Sequence, residues 1–385
     1  GAILGIAVPQ ATGIAILGDV FVSALKAIAP LLVFFLVISS LCNAGKSHGG
    51  VIKTVIILYM FSTVLAAVIA LFASMAFPVK MTLANAATDT SAPQGIVEVL
   101  NSLLLNVVAN PVSSLVNANY VGILMWAVLL GLAFRAADKM TKNVLADVAD
   151  GISVVVTWII NLAPFGIFGL VFNTVSTNSL DIFTTYGKLL LLLVGCMLFI
   201  YFVTNPLLVY WCIHQNPYPL IFHCLKRSAL TAFFTRSSAA NIPVNMKVCE
   251  EMGLDRDTYS VTIPLGATIN MDGAAITITV MTMATAFTLG IHVDIPTAII
   301  LSLLAALSAC GASGVAGGSL LLIPMACSLF GISDDISMQV VAVGFIIGVV
   351  QDSVETALNS SSDLLLSASA EFRQWRLEGK EIKFK

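Results

Sequence analysis

The chain has 385 residues, of which 58% are hydrophobic and 10% are charged, and its formal net charge is −3. In a soluble domain about a quarter of all residues are charged, so this composition excludes a soluble globular protein. The uncharged stretches 54–79, 99–134 and 189–222 are each long enough for a membrane-spanning helix, which needs about 20 residues. We therefore predict an all-α polytopic membrane protein.

Apolar segments predict about eight transmembrane helices along the chain. They lie roughly at 1–12, 16–44, 51–78, 99–134, 147–173, 186–213, 258–289 and 337–370. Asn110-Pro111 should break the fourth segment, because proline lacks a backbone donor and disfavours helix at the residue before it. Basic residues collect within 46–53, 135–142, 226–247 and 373–385. If these are cytoplasmic, the tail at 371–385 lies inside the cell.

Two further stretches, 218–248 and 295–328, predict re-entrant helical hairpins. Each has two short apolar arms around a small polar tip, TRSSAANIP (235–243) in the first and GASGVAGGS (311–319) in the second. Interrupted segments at matching positions in two halves indicate inverted repeats and a transporter's substrate site. The alternative is that the small residues only allow tight helix packing. That alternative explains the glycines but not the arginine at the first tip.

Carboxylates lie inside the apolar helices that follow both hairpins. Asp272 follows the first hairpin, and the second is followed by residues spaced three and four apart, which form one polar stripe on a helix. The stripe consists of Asp352, Glu355, Thr356, Asn359 and Asp363. A charged residue at the bilayer centre costs about 2.5–3.5 kcal/mol on insertion scales, so it is a functional candidate by default. The alternative for Asp363 is a helix end in solvent, since Arg373 is not far away.

These residues suit a cation and a zwitterion. Na⁺ prefers oxygen ligands, and the run GATINMDG (266–273) offers an unwound helix beside an asparagine and an aspartate. The ammonium group of an amino acid requires a buried carboxylate, and its carboxylate requires free N–H groups at half-helix N-termini. The sequence therefore indicates coupled binding of a cation and an amino acid.

Four motifs in the second half of the chain carry a family resemblance. They are TRSSAANIPVNM (235–246), IPLGATINMDG (263–273), GASGVAGG (311–318) and the polar helix ending in NSSSD (359–363). In this order, over most of residues 220–370, they resemble the dicarboxylate/amino acid:cation symporters, the glutamate-transporter family. Within that family the chain is most similar to bacterial sodium/serine–threonine symporters.

The resemblance implies a homotrimer in the bacterial inner membrane that works by an elevator mechanism. Residues 1–50 and 81–180 would form the trimerising scaffold. Residues 51–78 and 186–370 would form the moving transport domain, including both hairpins and the helices at 258–289 and 337–370. The implied partners are Na⁺, a small neutral amino acid and membrane lipid, without nucleic acid or enzymatic activity.

The resemblance also places three Na⁺ sites. The first would use the carbonyls of Gly266, Asn270 and Asn359 with the Asp363 carboxylate. The second would use the carbonyls of Thr268, Ala309, Cys310 and Ala312. The third would use Tyr59, Ser62, Thr63, Asn270 and Asp272, since YMFST (59–63) resembles the family's third-helix motif.

The implied substrate site draws on the hairpin tips and the polar stripe. The substrate ammonium would meet Asp352, with Thr356 beside it. Its carboxylate would meet Asn359 and the backbone around Ser237, Ser238, Val315 and Gly317.

Two residues of this chain depart from the acidic-substrate members of the family. Those members have arginine where Glu355 stands and threonine where Ala274 stands. A glutamate repels a side-chain carboxylate, so we expect a small neutral substrate, serine or threonine, whose hydroxyl donates to Glu355. We hypothesise that Arg236 pairs with Glu355 or Asp352 and lowers the cost of burying them. The alternative is that Glu355 is protonated by desolvation.

Three other functions could use some of the same residues: an intramembrane protease, an ion channel and a symporter for acidic substrates. GASG (311–314) matches the GxSG of intramembrane serine proteases, but that mechanism needs a later histidine, and none follows His292. An ion channel could use the same polar pathway, but it does not need an ammonium receptor beside cation sites. A symporter for acidic amino acids or dicarboxylates is the other alternative.

Overall fold

The computed structural model of the chain describes residues 1–43, 50–83, 105, 108–117, 119–177, 181–310, 312 and 317–382. Helices cover most of these ranges, and the same ranges contain no strand. The predicted all-α class is confirmed.

The first half of the chain forms seven labelled helices. They are α1 (Ala2–Ala7), α2 (Ala15–Asn43), α3 (Gly50–Ala76), α4 (Pro111–Val116), α5 (Tyr120–Ala133), α6 (Lys139–Asn161) and α7 (Ala163–Thr177). The predicted break at Asn110-Pro111 is present, because α4 begins there. The Asn110 side chain accepts hydrogen bonds from the backbone N–H groups of Val112 and Ser113, at 2.9 and 3.1 Å, and Pro111 needs no partner at the first helical position.

The second half carries the hairpins and the longest helix. Its helices are α8 (Asp181–Phe199), α9 (Asn205–Ile213), α10 (Tyr218–Cys224), α11 (Leu230–Thr235), α12 (Ser238–Glu251), α13 (Arg256–Ile269), α14 (Asp272–Thr288), α15 (Ile295–Ala309), α16 (Ile323–Ser328) and α17 (Asp334–Leu377). Single π-helical turns, Ile200–Thr204 and Leu225–Ala229, join α8 to α9 and α10 to α11.

Two predicted segments are each divided into two helices. The segment at 147–173 breaks at Leu162 between α6 and α7, because Pro164 lacks a backbone donor. The segment at 258–289 breaks at Asn270–Met271 between α13 and α14, inside the run that the sequence indicated could unwind.

Both predicted hairpins have two helical arms. In hairpin 1 the left-handed residue Arg236 (φ 50°) ends α11, and Ser237 caps α12 by accepting a hydrogen bond from the backbone N–H of Ala240. In hairpin 2 the first arm is α15, and the second is a 3₁₀ turn (Gly318–Leu322) that continues into α16. Asp294 caps α15 by accepting a bond from Thr297, and hydrogen bonds from that residue lower the pKa of Asp294 below its ordinary value.

The helices pack into two groups. In the first, α2 contacts α5, α6 and α7, and α1 packs on α7. In the second, α3 packs on α14 and α15, while α17 contacts both hairpin 1 arms, α13 and α14. Helix α17 therefore forms the centre of the second group.

Four stretches of the described chain are long and apolar enough to cross a membrane. They are Gly50–Ala76, Thr185–Ile213, Arg256–Thr288 and Asp334–Leu377. Shorter apolar helices, among them Ile295–Ala309, accompany them. These spans support a multi-pass membrane protein, and the number of about eight spans stays a prediction.

Candidate functional site

A buried carboxylate lies where the broken helix α13–α14 meets α3. Asp272 has no exposed surface. Its Oδ2 accepts a hydrogen bond from the Ser62 hydroxyl at 2.7 Å, and its Oδ1 accepts one from the Thr63 hydroxyl at 3.2 Å. The structure thus brings together three members of the third predicted Na⁺ set.

Asn270, at the helix break, joins that set to α17. Its Nδ2 donates to Asp363 Oδ1 at 2.9 Å and to Ser362 Oγ at 2.8 Å. Its Oδ1 is buried and has no hydrogen-bond partner among the residues that the structure describes. Buried polar atoms are normally paired, so an unpartnered acceptor oxygen beside two buried aspartates fits a cation ligand.

The first predicted Na⁺ set is also brought together around Asn270. The backbone N–H of Asn270 donates to the Gly266 carbonyl at 2.9 Å, and its Nδ2 lies 3.4 Å from the Asn359 carbonyl. A Cβ added to Gly266 would lie 2.8 Å from Asp363 Oδ1. Four oxygen-bearing residues from α13 and α17 therefore share one small volume.

Tyr59 stands beside the first and third sets, but its hydroxyl has structural partners. It bonds with the Asp363 carbonyl at 2.9 Å, the Thr262 carbonyl at 3.2 Å and Ser367 Oγ at 2.7 Å. The Tyr59 carbonyl accepts a hydrogen bond from the Thr63 hydroxyl at 3.0 Å. The backbone of Tyr59, rather than its hydroxyl, faces the third set.

The second predicted set lies where hairpin 2 approaches the helix break. The Cys310 thiol contacts the Ile269 carbonyl at 3.6 Å, next to Thr268. The backbone N–H of Ala312 donates to the Ala309 carbonyl at 2.8 Å. The described residues contain no group of three or more His, Cys, Asp or Glu that could hold a metal ion. Carbonyl, hydroxyl, amide and carboxylate oxygens suit a hard cation rather than a transition metal.

Arg236 and Asp352 form the one charge pair at the hairpin tips within the described residues. Asp352 Oδ2 lies 3.9 Å from Arg236 Nη1, and Oδ1 accepts a hydrogen bond from the Gly317 N–H at 3.2 Å. Of the two hypothesised partners, Arg236 therefore pairs with Asp352 and not with Glu355. Both hairpin tips converge on this single carboxylate.

The amide of Asn359 is used on one side only. Its Oδ1 accepts a hydrogen bond from the Gly273 N–H at 2.7 Å. Among the described residues, the acceptor found for its Nδ2 is the sulfur of Met271, at 3.5 Å, which is a weak acceptor. The amide can therefore donate to an incoming carboxylate.

The remaining predicted substrate residues lie around the same place. Thr356 is on α17, one turn beyond Asp352, and Ser237 and Ser238 begin α12. Val315 lies outside the described residues.

Glu355 has three hydrogen-bond donors that the sequence analysis did not identify. Its Oε2 accepts from Thr277 Oγ1 at 2.6 Å, Ser319 Oγ at 3.0 Å and Gln351 Nε2 at 2.5 Å. All three of these hydrogen bonds go to the same oxygen, Oε2. Gln351 could have been identified as a donor from the sequence, because it lies one turn before Glu355 on α17. Thr277 and Ser319 could not, because they come from distant segments.

A cavity of about 410 Å³ opens beside the hairpin tips. Its wall includes the predicted residues Arg236, Gly317 and Asp352, together with Asn161 and Pro164 from the α6–α7 break. Ligand pockets of small molecules measure about 300–1,000 Å³, so the cavity is large enough for an amino acid.

Known proteins resemble the chain over nearly its whole length. Residues 1–371 match the family described as the sodium:dicarboxylate symporter family. A protein of Bifidobacterium adolescentis named serine/threonine transporter SstT is 57% identical over 383 residues, which cover 99% of this chain and 89% of that protein. A protein of the same name from Streptococcus thermophilus is 55% identical, and the match covers 98% of this chain and 94% of that protein. Another from Streptococcus agalactiae is 58% identical, and the match covers 96% of this chain and 92% of that protein.

Proposed function

Because the chain belongs to the sodium:dicarboxylate symporter family, we propose that it carries L-serine and L-threonine into the cell together with Na⁺. The family consists of transporters, so the protein is a membrane transporter and not an enzyme. Relatives above 50% identity carry the name serine/threonine transporter, which supports the choice of substrate.

The observation that carries the substrate class is the buried Glu355. Its side chain is anchored through Oε2, which leaves Oε1 to accept a hydrogen bond from a substrate hydroxyl. When both carboxylates are ionised and about 4 Å apart, they repel each other by roughly 4 kcal/mol at an effective dielectric constant near 20. Serine and threonine supply a hydroxyl, whereas aspartate and glutamate supply the repelled group.

The rest of the substrate would lie between the hairpin tips and α17. Its ammonium group would meet Asp352, beside Thr356. Its carboxylate would accept hydrogen bonds from Asn359 Nδ2 and from N–H groups at the start of α12 around Ser237 and Ser238. A helix N-terminus favours a negative group because its first N–H groups are unpaired.

Na⁺ would be carried by the three oxygen sets around the helix break. Asp272 and Asp363 are buried, and neither forms an ion pair within the described residues. An uncompensated buried charge is costly, so a bound cation would stabilise both. The unpartnered Oδ1 of Asn270 would add a neutral oxygen ligand.

Alternating access would follow the division of the helices. The group around α2 would be the trimerising scaffold, comprising 1–50 and 81–180, and the group around α17 would be the transport domain, comprising 51–78 and 186–370. Within each group the helices pack mainly on one another, and the groups meet where α2 and α7 contact α17, which supports an elevator motion of one group past the other. The tail at 371–385 would face the cytoplasm of a bacterial cell.

Uptake into proteoliposomes tests the proposal. We expect labelled L-serine to accumulate only with an inward Na⁺ gradient, with L-threonine competing and L-aspartate without effect. Strong competition by aspartate would favour the symporter for acidic amino acids. Ion leakage without accumulation of any amino acid would favour the ion channel.

A further inference from the structure

Glu355 lies at a junction of three elements. Gly273 of α14 approaches it so closely that an added Cβ would lie 2.9 Å from Glu355 Cγ and 3.0 Å from its backbone carbonyl oxygen. Thr277 belongs to α14, Gln351 to α17 and Ser319 to hairpin 2, and all three are buried. A single carboxylate oxygen therefore connects the two long helices to the hairpin.

Hairpin 2 reaches the polar stripe of α17 through two hydrogen bonds among the described residues. One runs from the Gly317 N–H to Asp352, and the other from the Ser319 hydroxyl to Glu355. Of the two, only the second is made by a side chain and depends on residue identity.

Hairpin 1 is attached to α17 differently. Asn241 Nδ2 donates to Ser360 Oγ at 2.8 Å, and Asn245 Nδ2 donates to the Ser360 carbonyl at 2.8 Å. Asn241 also bonds Ser228 Oγ at 2.9 Å, which links the two arms of the same hairpin. These bonds engage the arms of hairpin 1 and do not involve Glu355, so we expect them to persist when the bond between Ser319 and Glu355 is lost.

We propose that Ser319 is a positioning residue for transport, because its hydroxyl fastens hairpin 2 to Glu355, the residue that selects the substrate. The selecting role of Glu355 rests on the proposed function, whereas the bond itself does not. Loss of the hydroxyl leaves Thr277 and Gln351 as donors to Glu355, but it removes the side-chain bond between hairpin 2 and this carboxylate.

The test is hydrogen–deuterium exchange of the purified full-length protein in detergent, without amino acid. In Ser319→Ala we expect peptides within 317–328 to exchange about 2- to 10-fold faster, the factor for losing one ordinary hydrogen bond. Peptides within 238–251 should exchange as in the wild type. Ser319→Thr keeps a hydroxyl and should restore protection. Ser302→Ala is the matched control, because the Ser302 hydroxyl bonds only the Ala298 carbonyl of its own helix.

A double-mutant cycle with Glu355→Leu decides whether the two residues act through each other. If they do, Ser319→Ala has no further effect on exchange once Glu355 is replaced. Additive effects, or wild-type exchange in Ser319→Ala, would overturn the proposal. In uptake, Ser319→Ala should raise the KM for L-serine about ten-fold with a smaller change in kcat. If the wild type does not transport L-serine at all, the proposed function fails, while the exchange data still decide the role of Ser319.

Discussion

Replacing Gly266 with alanine tests the Na⁺ site at the helix break. The added Cβ would lie 2.8 Å from Asp363 Oδ1 and 2.8 Å from the Tyr59 hydroxyl oxygen. Real Cβ atoms essentially never come within 3.0 Å of another atom, so the carboxylate or the phenol must move. Both groups are fully buried among bonded partners, and the Asp363 carboxylate would shift away from Asn270.

The magnitude follows from the bond that is broken. A hydrogen bond to a charged group is worth about 1.5–3 kcal/mol, which corresponds to a factor of about 10 to 150 in an equilibrium constant. Alanine in place of glycine within a helix returns up to about 1 kcal/mol of folding stability, so the fold should survive. We therefore expect the Na⁺ concentration for half-maximal L-serine uptake to rise at least ten-fold.

Gly195→Ala is the matched control for this prediction. Gly195 lies inside α8, where an added Cβ meets nothing within 4 Å, so the substitution brings the same gain in helix propensity without crowding. Initial rates of L-serine uptake would be measured across a series of Na⁺ concentrations for both variants. Equal Na⁺ dependence of Gly266→Ala and Gly195→Ala would refute a Na⁺ site formed by Gly266 and Asp363.

Three further substitutions address the charges of the site. Asp272→Asn should raise the half-saturating Na⁺ concentration at least ten-fold, because it removes a buried charge beside the proposed cation, whereas Ser62→Ala should raise it less. Arg236→Met should lower the initial rate of L-serine uptake about five-fold, because Asp352 loses the positive charge beside it and solvent screening of a half-exposed ion pair limits the effect to about 1 kcal/mol. Arg236→Lys should keep more activity. Equal uptake rates in the wild type and Arg236→Met would contradict the pairing. Glu355→Arg should let L-aspartate compete with L-serine, since roughly 4 kcal/mol of repulsion between residue 355 and the substrate side chain becomes attraction. Continued exclusion of aspartate would show that the charge at this position does not select the substrate.

The all-α membrane class and the outline of the two hairpins could be predicted from the order of the residues alone. Helix length and apolar character are local properties, so a run such as 54–79 can be identified as a membrane-spanning segment without knowledge of the fold. The polar stripe on α17 is equally local, since residues three and four apart lie on one face of any helix. The break before Pro111 follows from the backbone chemistry of one proline. The break at Leu162 likewise follows from Pro164, although the continuous apolar pattern at 147–173 did not indicate it.

Which side chains meet at the site depends on how distant helices pack, and this could not be predicted from the sequence. The hypothesis for Arg236 left two partners open, and the position of hairpin 1 against α17 selected Asp352. The donors to Glu355 include Thr277 and Ser319, which are 78 and 36 residues away in the sequence. No spacing rule connects such distant residues, because helix periodicity fixes the face on which a side chain lies but not the helix that packs against it. The unpartnered oxygen of Asn270 likewise became visible only when every neighbouring donor was in place.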